Sequence, residues 1–317
     1  MRISRVACGA TTIGSHSMAV STDGSLYGWG VGQLSGLGSS SAVLTPAKLT
    51  ISDDSGESIE DEYLVVDVSC GGGFSVCITK SGRLFSWGVW SHGRLGIHLF
   101  YVLTLWKRLI TWSTLCLGLG PIPLIQQATA GRSRRPTPTK KMARYQLRPS
   151  MIPGIGGTEL PDGLRAMRVS CGEGHALCVL NCGAVLAWGR NNCGQLGIGT
   201  SVNGFLCDAF SPTILPPFLP PKNEKLDSKL TALFSNANPS TKYSRIMEQL
   251  LANSATAKYK VGRISAKDVV CGAFHSLCLD SEGNVWSWGA RGTANMIQVG
   301  IHFVKYRFHR ESMLGPS

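Results

Sequence analysis

No Gly-x-Ser-x-Gly elbow, no His-Glu-x-x-His pair and no kinase motif set occurs in this sequence, which removes the commonest signatures of hydrolase, zinc-protease and phosphotransfer chemistry. Gly71-Gly72-Gly73 lacks the Gly-Lys-Ser/Thr that a phosphate-binding loop needs after it. Charged residues are sparse, at 16% of 317 residues, and acidic side chains (19) are outnumbered by lysine and arginine (31). The formal charge of +12 favours an acidic partner, although the position of the charge matters more than its sum. The start, Met1-Arg2-Ile3-Ser4-Arg5, leads into no apolar leader. We therefore expect a reducing compartment, cytoplasm or nucleus, and free thiols for the eleven cysteines.

What is abundant is glycine, 38 residues, amid short apolar runs in a chain that is 43% hydrophobic. That combination predicts a turn-rich β architecture with a sizeable core rather than long helices. Four segments superimpose on their Cys-Gly and Trp-Gly pairs: Cys8-Gly9 with Trp29-Gly30, Cys70-Gly71 with Trp87-Gly88, Cys171-Gly172 with Trp188-Gly189, and Cys271-Gly272 with Trp288-Gly289. A histidine follows the Cys-Gly pair in three copies (His16, His175, His275), and Phe74 takes its place in the second. Cys and Trp are 17 residues apart in copies two to four and 21 in the first, where the Cys-to-His distance is also four longer. One insertion accounts for both differences, and constant spacing of this kind marks a repeat architecture.

Within each copy we predict four strands. The first ends at Cys-Gly and the second follows the histidine position. Asp23-Gly24, Ser81-Gly82, Cys182-Gly183 and Glu282-Gly283 make a tight turn, and the third strand runs into Trp-Gly. Pro46, Pro149 and Pro212 open a fourth, outer strand. Four short antiparallel strands form a propeller blade.

Trp188-Gly189-Arg190-Asn191-Asn192-Cys193-Gly194-Gln195-Leu196-Gly197, with Gly93-Arg94-Leu95-Gly96 and the distorted Gln33-Leu34-Ser35-Gly36, resembles the regulator-of-chromosome-condensation repeat family. No Trp-Asp pair of other propeller repeats occurs. The resemblance implies an all-β propeller, here incomplete with about four recognisable blades in a single domain: about 1–50, 63–96 with 119–153, 165–216 and 263–293. It also implies an interaction platform without a cofactor. The expected function is a protein-binding scaffold, not an enzyme. The alternative is nucleotide exchange on a small GTPase of the Ran type, with chromatin contact, and a weaker one is a membrane-tethered propeller.

Trp-to-Trp distances of 58, 101 and 100 reveal two insertions. Residues 97–118 are apolar but interrupted by Lys107-Arg108, which would stand near a bilayer centre, and the run breaks into a blade; we read no membrane span in it. Excising it joins Gly93-Arg94-Leu95-Gly96 to Leu119-Gly120 and restores the repeat, so it has the character of translated non-coding sequence. The tail after Thr293 also leaves the repeat. Residues 130–148 hold seven basic and no acidic side chains (Arg132, Arg134, Arg135, Lys140, Lys141, Arg144, Arg148) and read as a flexible loop. It is either a nucleic-acid or import contact or a solvated run. Six acidic residues between Asp53 and Glu62 form an opposite loop. Residues 216–262 carry apolar spacings of two helices: Leu226, Leu230, Leu233 and Phe234, then Tyr243, Ile246, Met247, Leu250 and Leu251.

Cys171, His175, Cys178 and Cys182, and likewise Cys271, His275 and Cys278, offer metal-ligating chemistry. They lack the paired Cys-x-x-Cys knuckles of zinc sites, and Phe74 breaks the set in the second copy. We assign them, with Trp29, Trp87, Trp188 and Trp288, to blade packing.

Overall fold

The computed structural model describes residues 1–12, 14–52, 63–97, 145–152, 155, 164–198, 206–215, 217–218, 264–290 and 304–306. They form four antiparallel sheets of four strands each, in simple meander order. Blade 1 contains β1 (Ile3–Thr11), β2 (Gly14–Ser21), β3 (Leu26–Gly30) and β4 (Val43–Lys48), with a one-turn helix α1 (Gly32–Ser35) after β3. Blade 2 contains β5 (Val65–Cys70), β6 (Phe74–Thr79), β7 (Leu84–Val89) and β8 (Tyr145–Met151). Blade 3 contains β9 (Ala166–Cys171), β10 (His175–Leu180), β11 (Val185–Gly189) and β12 (Ala209–Ile214). Blade 4 contains β13 (Ala266–Cys271), β14 (His275–Asp280), β15 (Val285–Gly289) and β16 (Val304–Tyr306).

The central strands β6 (FSVCIT) and β10 (HALCVL) are buried at every position, as expected of short continuous apolar runs between turns. The four predicted turns all form. Gly24, Gly82, Gly183 and Gly283 adopt φ between 80° and 84°, and each amide donates back to the carbonyl three residues earlier. A β-carbon disfavours that left-handed conformation, so glycine belongs there. The first copy's four extra residues lengthen the β1–β2 hairpin, where Gly9 pairs with His16 and Thr11 with Gly14. Cys8 still pairs with Ser17, as Cys171 pairs with Ala176. The tryptophans of the four Trp-Gly pairs occupy one register position, paired with Ser17, Ser75, Ala176 and Ser276.

Blades pack in chain order. β5 lies on β1 and β2, β9 on β5 and β6, and β13 on β9 and β10. The long intervals therefore do not replace blades: one falls between β7 and β8, the other between β12 and β13.

Three expectations are corrected. Pro46, Pro149 and Pro212 lie inside β4, β8 and β12 rather than at their starts; on an outermost strand one side of the ladder faces no partner, so the missing N–H costs little. The tail does return to the repeat, because Val304–Tyr306 pairs with β15 and completes blade 4. Arg148 belongs to β8, not to a loop, and its guanidinium lies beside Gly38 of blade 1. The acidic run 53–62, the predicted helices within 219–262, the apolar run from residue 98 and the six other basic residues lie outside the described residues.

Candidate interaction surface

The residues that resemble metal ligands build the joints between blades. His175 Nε2 lies 3.0 Å from Ser276 Oγ in blade 4, and Ser276 Oγ donates to the Gln195 carbonyl at 2.8 Å. With its hydroxyl proton directed there, Ser276 accepts from His175, so His175 carries its proton on Nε2. The Gln195 carbonyl also accepts from Trp288 Nε1 at 2.9 Å. His16 Nε2 repeats the contact on Ser75 Oγ at 2.9 Å, and Trp87 and Trp188 donate to the Leu34 and Arg94 carbonyls of the preceding blade. Burial lowers both His16 and His175 to a pKa of about 4, and the Nδ1 atom of each has no hydrogen-bond partner.

Cysteine faces the other way. Cys171 donates its amide to Ser69 Oγ of blade 2 at 3.0 Å and its thiol to the Ser69 carbonyl, and Cys271 repeats this on Ser170 of blade 3. Within one blade the histidine reaches forward and the cysteine backward, on opposite faces of the sheet, so the two cannot converge on one ion. Desolvation pushes the thiols of Cys70 and Cys271 up to about 12, and raises those of Cys171 and Cys178 as well. They are inert thiols in an apolar setting. At the inner edge a β-carbon on Gly172 would meet the Gly272 carbonyl at 2.4 Å and the His175 ring at 2.3 Å. The Cys-Gly glycine is thus required by close approach.

Phe74 fits the same scheme. Its blade lacks the histidine, and the next blade has Ala176 where Ser75 and Ser276 receive the imidazole. Phe74→His alone would bury an imidazole without its partner, and should cost about 1–3 kcal/mol. Adding Ala176→Ser should recover a coupling of about 1 kcal/mol or more in a double-mutant cycle by urea denaturation. Strict additivity of the two changes would refute the joint.

A cluster of charged side chains lies on the face that carries the β1–β2 and β3–β4 type loops. In the 3-10 turn Ser91–Gly93, His92 adopts a left-handed conformation, φ 59° and ψ 20°. Its Nδ1 lies 2.9 Å from Asp208 Oδ2, linking blade 2 to blade 3, with both side chains partly exposed. Asp208 Oδ1 accepts the Asn191 amide. Arg94 donates to the Gly72 carbonyl at 2.6 Å and stands over the Phe74 ring, within the electrostatic reach of Glu173, Arg190 and Asp208. This mixed-charge cluster was only half legible. Arg94 belongs to a recognised motif, whereas His92 and Asp208 are 116 residues apart and no spacing rule connects them. The six basic residues Arg132, Arg134, Arg135, Lys140, Lys141 and Arg144 lie outside the described residues, and Arg148 is on the outer strand.

Stacked four-stranded meanders, locked to one another by a histidine reaching forward and a tryptophan reaching back, define a propeller-blade repeat array. Residues 65–93, 168–195 and 266–292 match one family of regulator of chromosome condensation (RCC1) repeats, and 23–78 and 183–222 match a second family of the same repeat. These segments of the chain carry regulator of chromosome condensation repeats. It is 32% identical to the ultraviolet-B receptor UVR8 of Arabidopsis thaliana over 216 residues, 64% of this chain and 44% of UVR8. It is 23% identical to the human E3 ubiquitin-protein ligase HERC2 over 301 residues, 90% of this chain and 5% of HERC2. Yeast RCC1 (Prp20), solved bound to Kap60, is similar in structure at 16% identity and a TM-score of 0.49, covering 90% of this chain and 43% of that one. The chain spans less than half the length of each of these three relatives.

Proposed function

We propose that this protein is an interaction scaffold that presents the loop face of its blades to another protein and catalyses no reaction. The observation that carries this reading is the division of labour between the residues. His16, His175 and Cys171 are buried in blade joints, while the mixed-charge cluster of His92, Arg94, Glu173, Arg190 and Asp208 stays near the surface. The similarity of one repeat module to parts of a receptor and of a ubiquitin ligase supports it, since a module common to both is not tied to one chemistry.

The alternative is exchange of guanine nucleotide on a Ran-type GTPase, with the basic residues Arg132 to Arg148 touching chromatin. An exchange factor must bind the nucleotide-free GTPase better than the loaded form. The scaffold reading expects no acceleration of labelled-nucleotide release from Ran at catalytic concentrations of this protein. It also expects at most weak DNA binding that falls steeply with salt and is removed by alanine at Arg134, Arg135, Lys140 and Lys141. Stimulated release would replace the scaffold by the exchange factor. DNA binding that persists in high salt and in the four-alanine variant would assign the basic stretch no contact.

A further inference from the structure

Two arginines that break the repeat pattern meet at one joint. The carbonyl that receives the next blade's tryptophan belongs to Leu34 in blade 1, Arg94 in blade 2 and Gln195 in blade 3. The residue directly after Trp-Gly is Val31, Val89, Arg190 and Ala290 in blades 1 to 4. Arginine occurs once in each set, and both fall at the joint between blades 2 and 3. They converge over Gly174. A β-carbon on Gly174 would meet Arg190 Cβ at 3.2 Å and Cδ at 3.4 Å, and Arg94 Nη2 at 3.6 Å. The backbone does not demand glycine there. Gly174 lies outside the left-handed region, and Phe274 stands at its position in blade 4, where it accepts the Ala290 amide as Gly174 accepts that of Arg190. Its bare α-carbon leaves room beneath the two arginines.

The charge of this pair is not met within the fold. Arg94 is fixed through Nε on the Ser91 carbonyl at 3.0 Å and Nη1 on the Gly72 carbonyl at 2.6 Å. Its Nη2 has no acceptor among the described residues, and neither has the Arg190 guanidinium. No carboxylate among the described residues forms an ion pair with either side chain. Both arginines are half-buried. Burial lowers the pKa of Arg94 and Arg190 adds to the effect, against an opposite pull from Glu173 and Asp208. Like charges partly withdrawn from water are unfavourable until an anion joins them.

We propose that this joint receives a single carboxylate, an aspartate or glutamate side chain of the partner protein, seated over Gly174 between Arg94 Nη2 and Arg190. This names the group that the scaffold reading, on which it rests, requires on the partner. A carboxylate has two oxygens to share between guanidinium donors, and such charge-assisted bonds are the stronger kind. Arg94 is already held in place by its two backbone acceptors, so little ordering remains to be done on binding. Glu173 and Asp208 stand beside the pair and would repel a run of phosphates, because like charges brought together across an interface are costly. One acidic side chain therefore suits the site better than nucleic acid does.

The test is a titration of the full chain, labelled with nitrogen-15 in arginine, by N-acetylglutamate N-methylamide, with the glutamine analogue as control. The variants are Arg94→Gln and Arg190→Val, which install residues that the repeat itself carries at these positions in Gln195 and Val89 and so are compatible with folding. Each variant also assigns its guanidinium resonance by the signal it removes. The glutamate compound should shift both resonances saturably and the glutamine compound neither. Either substitution should weaken binding, read on the arginine that remains, by about tenfold, with melting unchanged. Equal shifts from the two compounds, or an affinity that neither substitution alters, would overturn the proposal. So would duplex DNA that moves these two resonances at lower concentration than the glutamate compound, for the site would then belong to phosphate. Accelerated nucleotide release from Ran would end the scaffold reading without altering this titration, whereas absent shifts without such release would end only the carboxylate site.

Discussion

Acidification from neutral pH to about 4.5 is expected to unfold the blades in a transition controlled by His16 and His175. Both imidazoles are held near a pKa of 4 in the fold by loss of solvent, against 6.5 for an unburied histidine. Between those values the unfolded chain binds protons that the folded chain refuses, so stability is undiminished above about pH 6.5 and falls as the pH drops toward 4. Completed, the loss is roughly 3 kcal/mol per histidine, large beside the 5–15 kcal/mol, roughly, that holds a typical domain. Asp67 works against this, since burial raises its carboxyl and makes it take up a proton on the folded side early. His16→Gln and His175→Gln should each remove about half of the pH slope between about 4.5 and 6.5 in urea denaturation. A slope unchanged in both variants would mean that carboxylates, not these joints, set the acid limit.

The second large effect concerns the tryptophans, which the repeat pattern presents as equivalent. Trp188 is fully buried and donates to the Arg94 carbonyl across the blade 2–blade 3 joint. Trp188→Ala should cost about 3–5 kcal/mol through the cavity and the lost packing. Trp188→Phe should cost about 1–3 kcal/mol, since most of the ring remains but the Arg94 carbonyl loses its donor. Trp29 stands at the same register position in blade 1 and is only partly buried. Its replacement by alanine should cost less than half as much as that of Trp188. Equal midpoint shifts in denaturant would contradict the difference in burial.

The acidic transition and the tryptophan ranking share one origin, the joint between successive blades. A joint is made of one residue from each side: His175 with Ser276, Trp188 with the Arg94 carbonyl, Cys271 with Ser170. Phe74 and Ala176 belong to the same joint: where no imidazole reaches forward, the facing strand carries no hydroxyl to accept from it.

The strands, their turns and their common register were legible in the sequence because they depend on short-range spacing. A tryptophan five residues after the turn glycine and a glycine able to adopt positive φ are local requirements, and they recur unchanged in every copy. The spacing also held its single exception, Phe74 in the place of histidine. What the spacing could not convey was direction across the sheet. The opposite orientation of Cys171 and His175, the pairing of His92 with Asp208, and the place of Arg148 on β8 beside Gly38 arise from contacts between segments far apart in the chain. Exposure was decided at the same level. Val6 and Val169 look alike in their repeats, yet a neighbouring blade covers one and not the other, because burial belongs to the stack of blades and not to the single blade that the repeat encodes.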